Sequence, residues 1–221
     1  LLGMKSGLGD YMTPVWSNAM VKEPSRIWGV REAIDSVMTE PVTMPGEIQF
    51  SYNNANYALL GLIIEAKKND SLHKILRNDL LTPLALKNTY MIAEKFPNTI
   101  VHNWKMLNTG VFDVSAIPKD AIWTSLAPVR GLFSTPEDLA LWGYNLYTGK
   151  VLSQASLNEM LTFTNVPPGP PFTDYGFGTM RIPDNGRTYW GHNGTVDGYL
   201  SIMLFDPVDS VCVALMVNQW S

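Results

Sequence analysis

Residues 175–218 constrain the fold most. YGFGTMRI (175–182), TYWGH (188–192), GYLSIMLF (198–205) and VCVALMVN (211–218) are apolar stretches of strand length separated by turn residues. Asn185-Gly186 is a favoured pair for a two-residue hairpin, because both central positions need positive φ. DPVDS at 206–210 turns the chain again. Strands in consecutive hairpin order make an antiparallel sheet, and the helical patterns upstream must pack beside it. The expected class is α/β in the α+β sense: an antiparallel sheet flanked by helices, plus a mostly helical region. The expected division is a helical, loop-rich region at 1–174 and the sheet at 175–221.

Upstream, NNANYALLGLIIEAKK (53–68) reads as a helix. Asn53 or Asn54 caps it, the two lysines favour its C-terminus, and its nearly uniform apolarity predicts burial on all sides. NDSLHKILRNDLL (69–81) reads as a second helix ending before Pro83. STPEDLALWGYNLYTGK (134–150) is capped by Ser134 or Thr135 and stopped by Gly149, and SQASLNEMLTF (153–163) is a shorter helix. Residues 1–50 are rich in Gly and Pro, with one helix expected at 25–38. Residues 88–130 are irregular and read as a segment wrapping a surface or a cleft.

The charge balance of 16 basic and 20 acidic residues, without a basic patch, gives nucleic acid no foothold. The longest apolar run, YALLGLII (57–64), is too short to span a membrane. Cys212 is the single cysteine, so it reads as a core residue; no metal-ligand cluster and no cofactor motif is present. Leu1-Leu2-Gly3-Met4 is neither an initiator methionine nor a signal peptide, and LMVNQWS stops in mid-strand. Both ends are therefore expected to be cut from something larger.

HNGTVDGY (192–199) carries the most chemistry. His192 can serve as acid, base or hydrogen-bond donor near neutral pH. Gly194 lets a ligand approach the backbone, and the Thr195 N–H can point at an oxyanion. A strand edge here can also pair with an extended, peptide-like substrate. Tyr52 and Asn54 flank one residue before the 53–68 helix, and on extended backbone both point the same way. A phenol of pKa about 10 needs a cationic neighbour to act as a base. Ser71-Leu72-His73-Lys74 has Ser-x-x-Lys spacing, but on a solvent-charged helix whose cap is Asp70 or Ser71, so it reads as structural. His73 lacks a patterned neighbour. His102 can line a cleft, Arg130 can bind a carboxylate or pair on the surface, and Trp123, Tyr144, Tyr175, Trp190 and Tyr199 can line a pocket or fill a core.

Taken together, these stretches resemble the serine β-lactamase-like family, which includes class C β-lactamases, D-alanyl-D-alanine carboxypeptidases, D-aminopeptidases and esterases. LLGMKSGLGDY (1–11) is similar to its Leu-Leu-x-His-x-Ser-Gly-Leu segment, with Met4 in the histidine position. PGEIQFSYNNANYALLGLIIE (45–65) is similar to its Pro-Gly and Tyr-x-Asn stretch. RGLFSTPEDLALW (130–142) resembles its Gly-Gly-x-x-Ser-Thr-x-x-Asp-Leu segment, with Arg130 replacing a glycine. YGFG (175–178) and GHNGTVDGY (191–199) resemble its last strands, where His-x-Gly stands in the place of Lys-Thr-Gly.

The resemblance implies roles. Tyr52 would be the catalytic tyrosine, Asn54 would hydrogen-bond the substrate and the catalytic lysine, and His192 would hold the substrate and the Tyr52 oxygen. Gly194 and the Thr195 N–H would form half of an oxyanion hole. The family's Ser-x-x-Lys precedes the Leu-Leu-x-x-x-Ser-Gly segment, so the nucleophile is expected upstream of Leu1, and the closing C-terminal helix beyond Ser221. The implied activity is acyl transfer through a serine on peptide-like (D-amino acid) amides or esters, with this piece inactive alone. The other class is a non-catalytic, penicillin-binding-like sensor or binding domain. Expected partners are a small peptide-like or ester substrate, and a second copy or the missing N-terminal segment. The implied location is periplasmic or secreted, with cytoplasmic relatives also known.

Overall fold

In a computed structural model of the chain, residues 1–35, 49–92, 94, 100–129, 131–167, 172–196 and 198–220 are described. Seven α-helices lie among them: α1 Pro14–Lys22, α2 Val30–Asp35, α3 Asn54–Lys68, α4 Leu72–Leu76, α5 Asp120–Ser125, α6 Pro136–Tyr147 and α7 Gln154–Met160. A π-helical turn, Arg77–Leu81, continues α4. The strands are β1 Tyr90–Met91, β2 Trp104–Leu107, β3 Gly110–Asp113, β4 Leu132–Phe133, β5 Thr164–Asn165, β6 Asp174–Tyr175, β7 Met180–Asp184, β8 Arg187–Val196, β9 Tyr199–Asp206, β10 Val211–Val217 and β11 Gln219–Trp220. The mixture of helices and antiparallel sheet is the expected class. No helix of the described residues is long and apolar enough to cross a membrane.

The chain forms two compact units, each discontinuous in sequence. The first comprises 1–79, 90–98 and 116–133. Its core gathers Tyr11, Trp16, Met20, Ala33, Ile34, Ala55, Ala58, Ala121 and Leu126. α1 was not anticipated, although its start carries a cap: Thr13 Oγ1 accepts from Trp16 N at 3.2 Å, and Pro14 opens the first turn. The helix expected at 25–38 begins only at Val30, and everything beyond residue 35 of it lies outside the described residues. α3 starts as expected, with Asn53 Oδ1 accepting from Ala55 N at 2.7 Å, and ends on Asn69 in the left-handed region. Its burial differs from expectation. Small residues, Ala55, Ala58 and Gly61, face the core, while Ile63 and Ile64 are exposed. Apolarity all round reported composition, not environment.

The second unit comprises 80–89, 99–115 and 134–221. Its sheet has the order β10-β9-β8-β7-β6-β5, antiparallel throughout. The hairpin expected at Asn185-Gly186 is present, with φ of 46° and 79°. The stretch 175–182 is split into β6 and β7 by a turn, and β8 runs four residues past His192. α6 packs on the face that carries Trp190, Met203, Phe205 and Cys212. Thr135 caps α6, and its buried Asp138 carboxylate accepts from Asn88 N (2.8 Å) and Thr89 Oγ1 (2.9 Å), tying 80–89 to the helix. Cys212, expected as a core residue, is partly buried and packs against this unit's core, and that burial pushes its thiol up to about 11. On the opposite face of β10, Val211, Val213, Leu215 and Val217 are exposed.

The stretch 88–130, expected to be irregular, holds a β2–β3 hairpin, with β11 added in parallel beside β2. It also holds β1 and α5, which belong to the first unit.

Candidate functional site

Strand β8 places His192, Gly194 and Thr195 in one extended run, so these three expected residues do come together. The ladder with β7 stops at Gly191, opposite Met180, while the ladder with β9 continues to Val196. From His192 to Val196, one edge of β8 has no neighbouring strand among the described residues. An open edge of this kind can accept an extended backbone as an added strand.

Two glycines permit the local geometry. At Gly191 a Cβ would lie 1.8 Å from the Met203 carbonyl oxygen, so no larger residue fits between β7 and β9. At Gly194 a Cβ would meet Ser201 Oγ at 2.6 Å. Ser201, across the ladder from Gly194, therefore holds its hydroxyl close over the glycine.

A cavity of about 360 Å³ opens beside His192 in this unit. Leu139, Trp142 and Leu146 of α6, Met160 of α7 and Phe177 form apolar walls. His192 and Ser201 supply polar atoms on the sheet side. Tyr147 and Thr179 also line it; their hydroxyls lie 3.2 Å apart, and burial pushes the Tyr147 phenol up to about 12, so it stays a neutral donor or acceptor.

His192 is held at both ring nitrogens. Nδ1 lies 2.6 Å from the carbonyl oxygen of Asn193, and Nε2 lies 3.3 Å from the Tyr175 hydroxyl. Burial pushes the imidazole below its ordinary value, so the ring is neutral at pH 7. Composition offered Tyr175 only as one of several pocket aromatics; its link to His192 crosses two strand pairings, β6 to β7 and β7 to β8.

Tyr52 and Asn54 belong to the first unit and do not share an environment. Tyr52 is 45 % exposed, whereas Asn54, the first residue of α3, is 8 % exposed. Intervening Asn53 is extended, but the helix starts immediately after it and turns Asn54 inward. Asn54 Nδ2 donates to Asp10 Oδ2 at 2.8 Å, and its backbone N–H donates to the same oxygen at 3.3 Å. Asp10 thus orients the amide, a role no spacing rule reveals across 44 residues. Asn53 Nδ2 donates to the Leu8 carbonyl, which ties the 1–11 segment to the start of α3. Met4 is buried at φ 56°, with its Sδ 3.5 Å from Asn56 Nδ2.

Ser71 stands at the N-cap position of α4, and Lys74 is exposed and paired with Asp70 at 3.5 Å. That lysine keeps solvent and a carboxylate partner, so it is not the desolvated amine that activates a serine. His102 pairs with Asp113 at 2.8 Å in an exposed setting, and hydrogen bonds from Ser115, then from His102, hold the Asp113 carboxyl down to about 2. Trp190 stacks on Phe205 in the core, Tyr144 meets Lys150, and Tyr199 donates to the Val101 carbonyl. Trp123 meets Phe133 edge-on. Arg130 lies outside the described residues.

The chain resembles known proteins in sequence and in fold. The family model described as beta-lactamase matches residues 1–221. The chain is 27 % identical over 222 residues to the protein flp of Staphylococcus aureus (strain MW2), covering 99 % of this chain and 42 % of that protein. It is 26 % identical over 227 residues to a D-aminopeptidase of Gluconobacter oxydans (strain 621H), covering 98 % of this chain and 40 % of that protein. The chain thus spans well under half the length of these curated relatives. Among solved structures, a D-stereospecific amidohydrolase from Streptomyces sp. superposes with a TM-score of 0.84 at 23 % identity, covering 98 % of this chain and 66 % of that one. At that identity the likeness shows the shared fold.

Proposed function

The chain belongs to the beta-lactamase family, and on that premise we propose that it frames the active site of a serine hydrolase working through an acyl-enzyme. The observation that carries this reading is the β8 edge that, from His192 to Val196, has no neighbouring strand among the described residues and lies beside an apolar cavity. The nucleophilic serine and its lysine are supplied by polypeptide outside these 221 residues. The order of the family-like segments supports that assignment, as does the solvent-paired state of Lys74.

In this reading the substrate lies along β8 as an added strand, with its scissile carbonyl oxygen toward the Thr195 N–H. That N–H is one of two oxyanion donors, the other being the nucleophile's own. Tyr52 takes the serine proton as the Oγ–C bond forms and passes it to the leaving amine or alcohol. It then takes a proton from the water that attacks the ester carbonyl and returns it to the serine oxygen as the ester C–O bond breaks. Asn54, oriented by Asp10, hydrogen-bonds the substrate. The apolar cavity walls suit an apolar side chain on the substrate.

The substrate class is peptide-like amides or esters of D-amino acids, a proposal that draws on the names of two relatives. Paired D- and L-phenylalanine amides, given to the full-length gene product, test it. Release of ammonia is expected to be at least tenfold faster from the D form. Equal or faster turnover of the L form overturns the stereochemical part of the proposal.

A further inference from the structure

We propose that Tyr175 is a positioning residue that locks His192 as its Nδ1–H tautomer and, through that ring, fixes the Asn193–Gly194 peptide of β8. One of the atoms that the imidazole meets can only accept. The Asn193 carbonyl oxygen lies 2.6 Å from His192 Nδ1, so Nδ1 must carry the proton. In a neutral ring Nε2 is then a lone pair and needs a donor, and the Tyr175 hydroxyl is 3.3 Å away. Burial around the imidazole favours the neutral form.

Tyr175 is well placed to hold a ring. It is 2 % exposed, packs on Phe172 with centroids 6.1 Å apart, and meets the imidazole edge-on at 6.0 Å. Its backbone sits in β6, opposite Met180, which in turn is opposite Gly191. The tyrosine is thus anchored through the sheet to the residue before His192.

The consequence reaches the backbone. In a trans peptide the Asn193 carbonyl and the Gly194 N–H point in opposite directions. Holding the carbonyl with Nδ1–H therefore sets the plane of that peptide just past the end of the β7 ladder at Gly191. His192 then acts as a clamp on the strand and not as a general base, because its Nε2 is engaged by Tyr175. The value of this clamp for catalysis rests on the proposed function; the tautomer does not.

The experiment is ¹⁵N spectroscopy of the histidine-labelled full-length gene product at pH 7.5, with the His192 signals assigned by their loss in His192→Gln. A pyrrole-type Nδ1 and a pyridine-type Nε2 are expected for His192. In Tyr175→Phe, which keeps the ring and removes only the hydroxyl, the His192 signals are expected to move toward a tautomer mixture. A pyridine-type Nδ1 in the unsubstituted chain overturns the proposal, as does an unchanged His192 spectrum in folded Tyr175→Phe. Should that variant not fold, the spectrum of the unsubstituted chain still decides. Full-length protein that shows this tautomer but hydrolyses no amide retains the inference and loses the proposed function.

Discussion

Gly191→Ala is expected to abolish the native sheet of the second unit. The added Cβ would lie 1.8 Å from the Met203 carbonyl oxygen, 2.9 Å from its carbon and 3.2 Å from Leu204 Cα. All three are backbone atoms of β9, so no side-chain rotation relieves the clash. Gly191 is also paired on its other side with Met180 of β7, which leaves the strand nowhere to move. Overpacking with adjustable side chains costs about 1–3 kcal/mol, and an immovable backbone puts this substitution beyond that range. Against a typical domain stability of about 5–15 kcal/mol, that is a large share of the total. Urea unfolding followed by circular dichroism checks it. A midpoint within experimental error of the parent's would contradict the packing described for β8.

The second large effect is on turnover. Tyr52→Phe in the full-length gene product is expected to lower kcat about 10²–10⁴-fold, the usual loss when a proton-transfer group is removed. Its side chain is 45 % exposed, so losing one phenolic oxygen leaves the first unit folded. Amide hydrolysis and a thermal melt measured together separate the two effects. Near-normal turnover in this variant removes Tyr52 from the mechanism.

The legibility of the sequence followed the range of the interaction. Local signals read correctly: the positive-φ pair Asn185-Gly186, the Asn53 and Thr135 caps, and the run of strands after residue 174. α1 was hidden because its Thr13-Pro14 start lies in a Gly- and Pro-rich stretch, and two of its apolar residues, Val15 and Val21, are exposed. The β2–β3 hairpin was hidden because all eight of its strand residues are exposed, so no alternation of polarity marks it. Its third strand, β11, arrives from more than 100 residues away.

The candidate site divides in the same way. His192, Gly194 and Thr195 share one strand and could be read as a group. Tyr175 and Asp10 could not, because each reaches its partner only through tertiary pairing. Tyr52 and Asn54 show the limit of a periodicity argument. Alternation holds only while the strand lasts, and here a helix begins at the second residue of the pair.

The central claim is that this chain frames a serine acyl-transfer site whose nucleophile lies outside residues 1–221. The most direct measurement is covalent labelling of the full-length gene product with a fluorophosphonate, followed by intact mass and peptide mapping. The account predicts one adduct, on the serine of a Ser-x-x-Lys sequence outside these residues, formed on folded protein and lost on denaturation. An adduct on Ser71 would show that the solvent-paired Lys74 had been misjudged. No adduct on folded protein would contradict the hydrolase and leave a binding domain built on the same sheet.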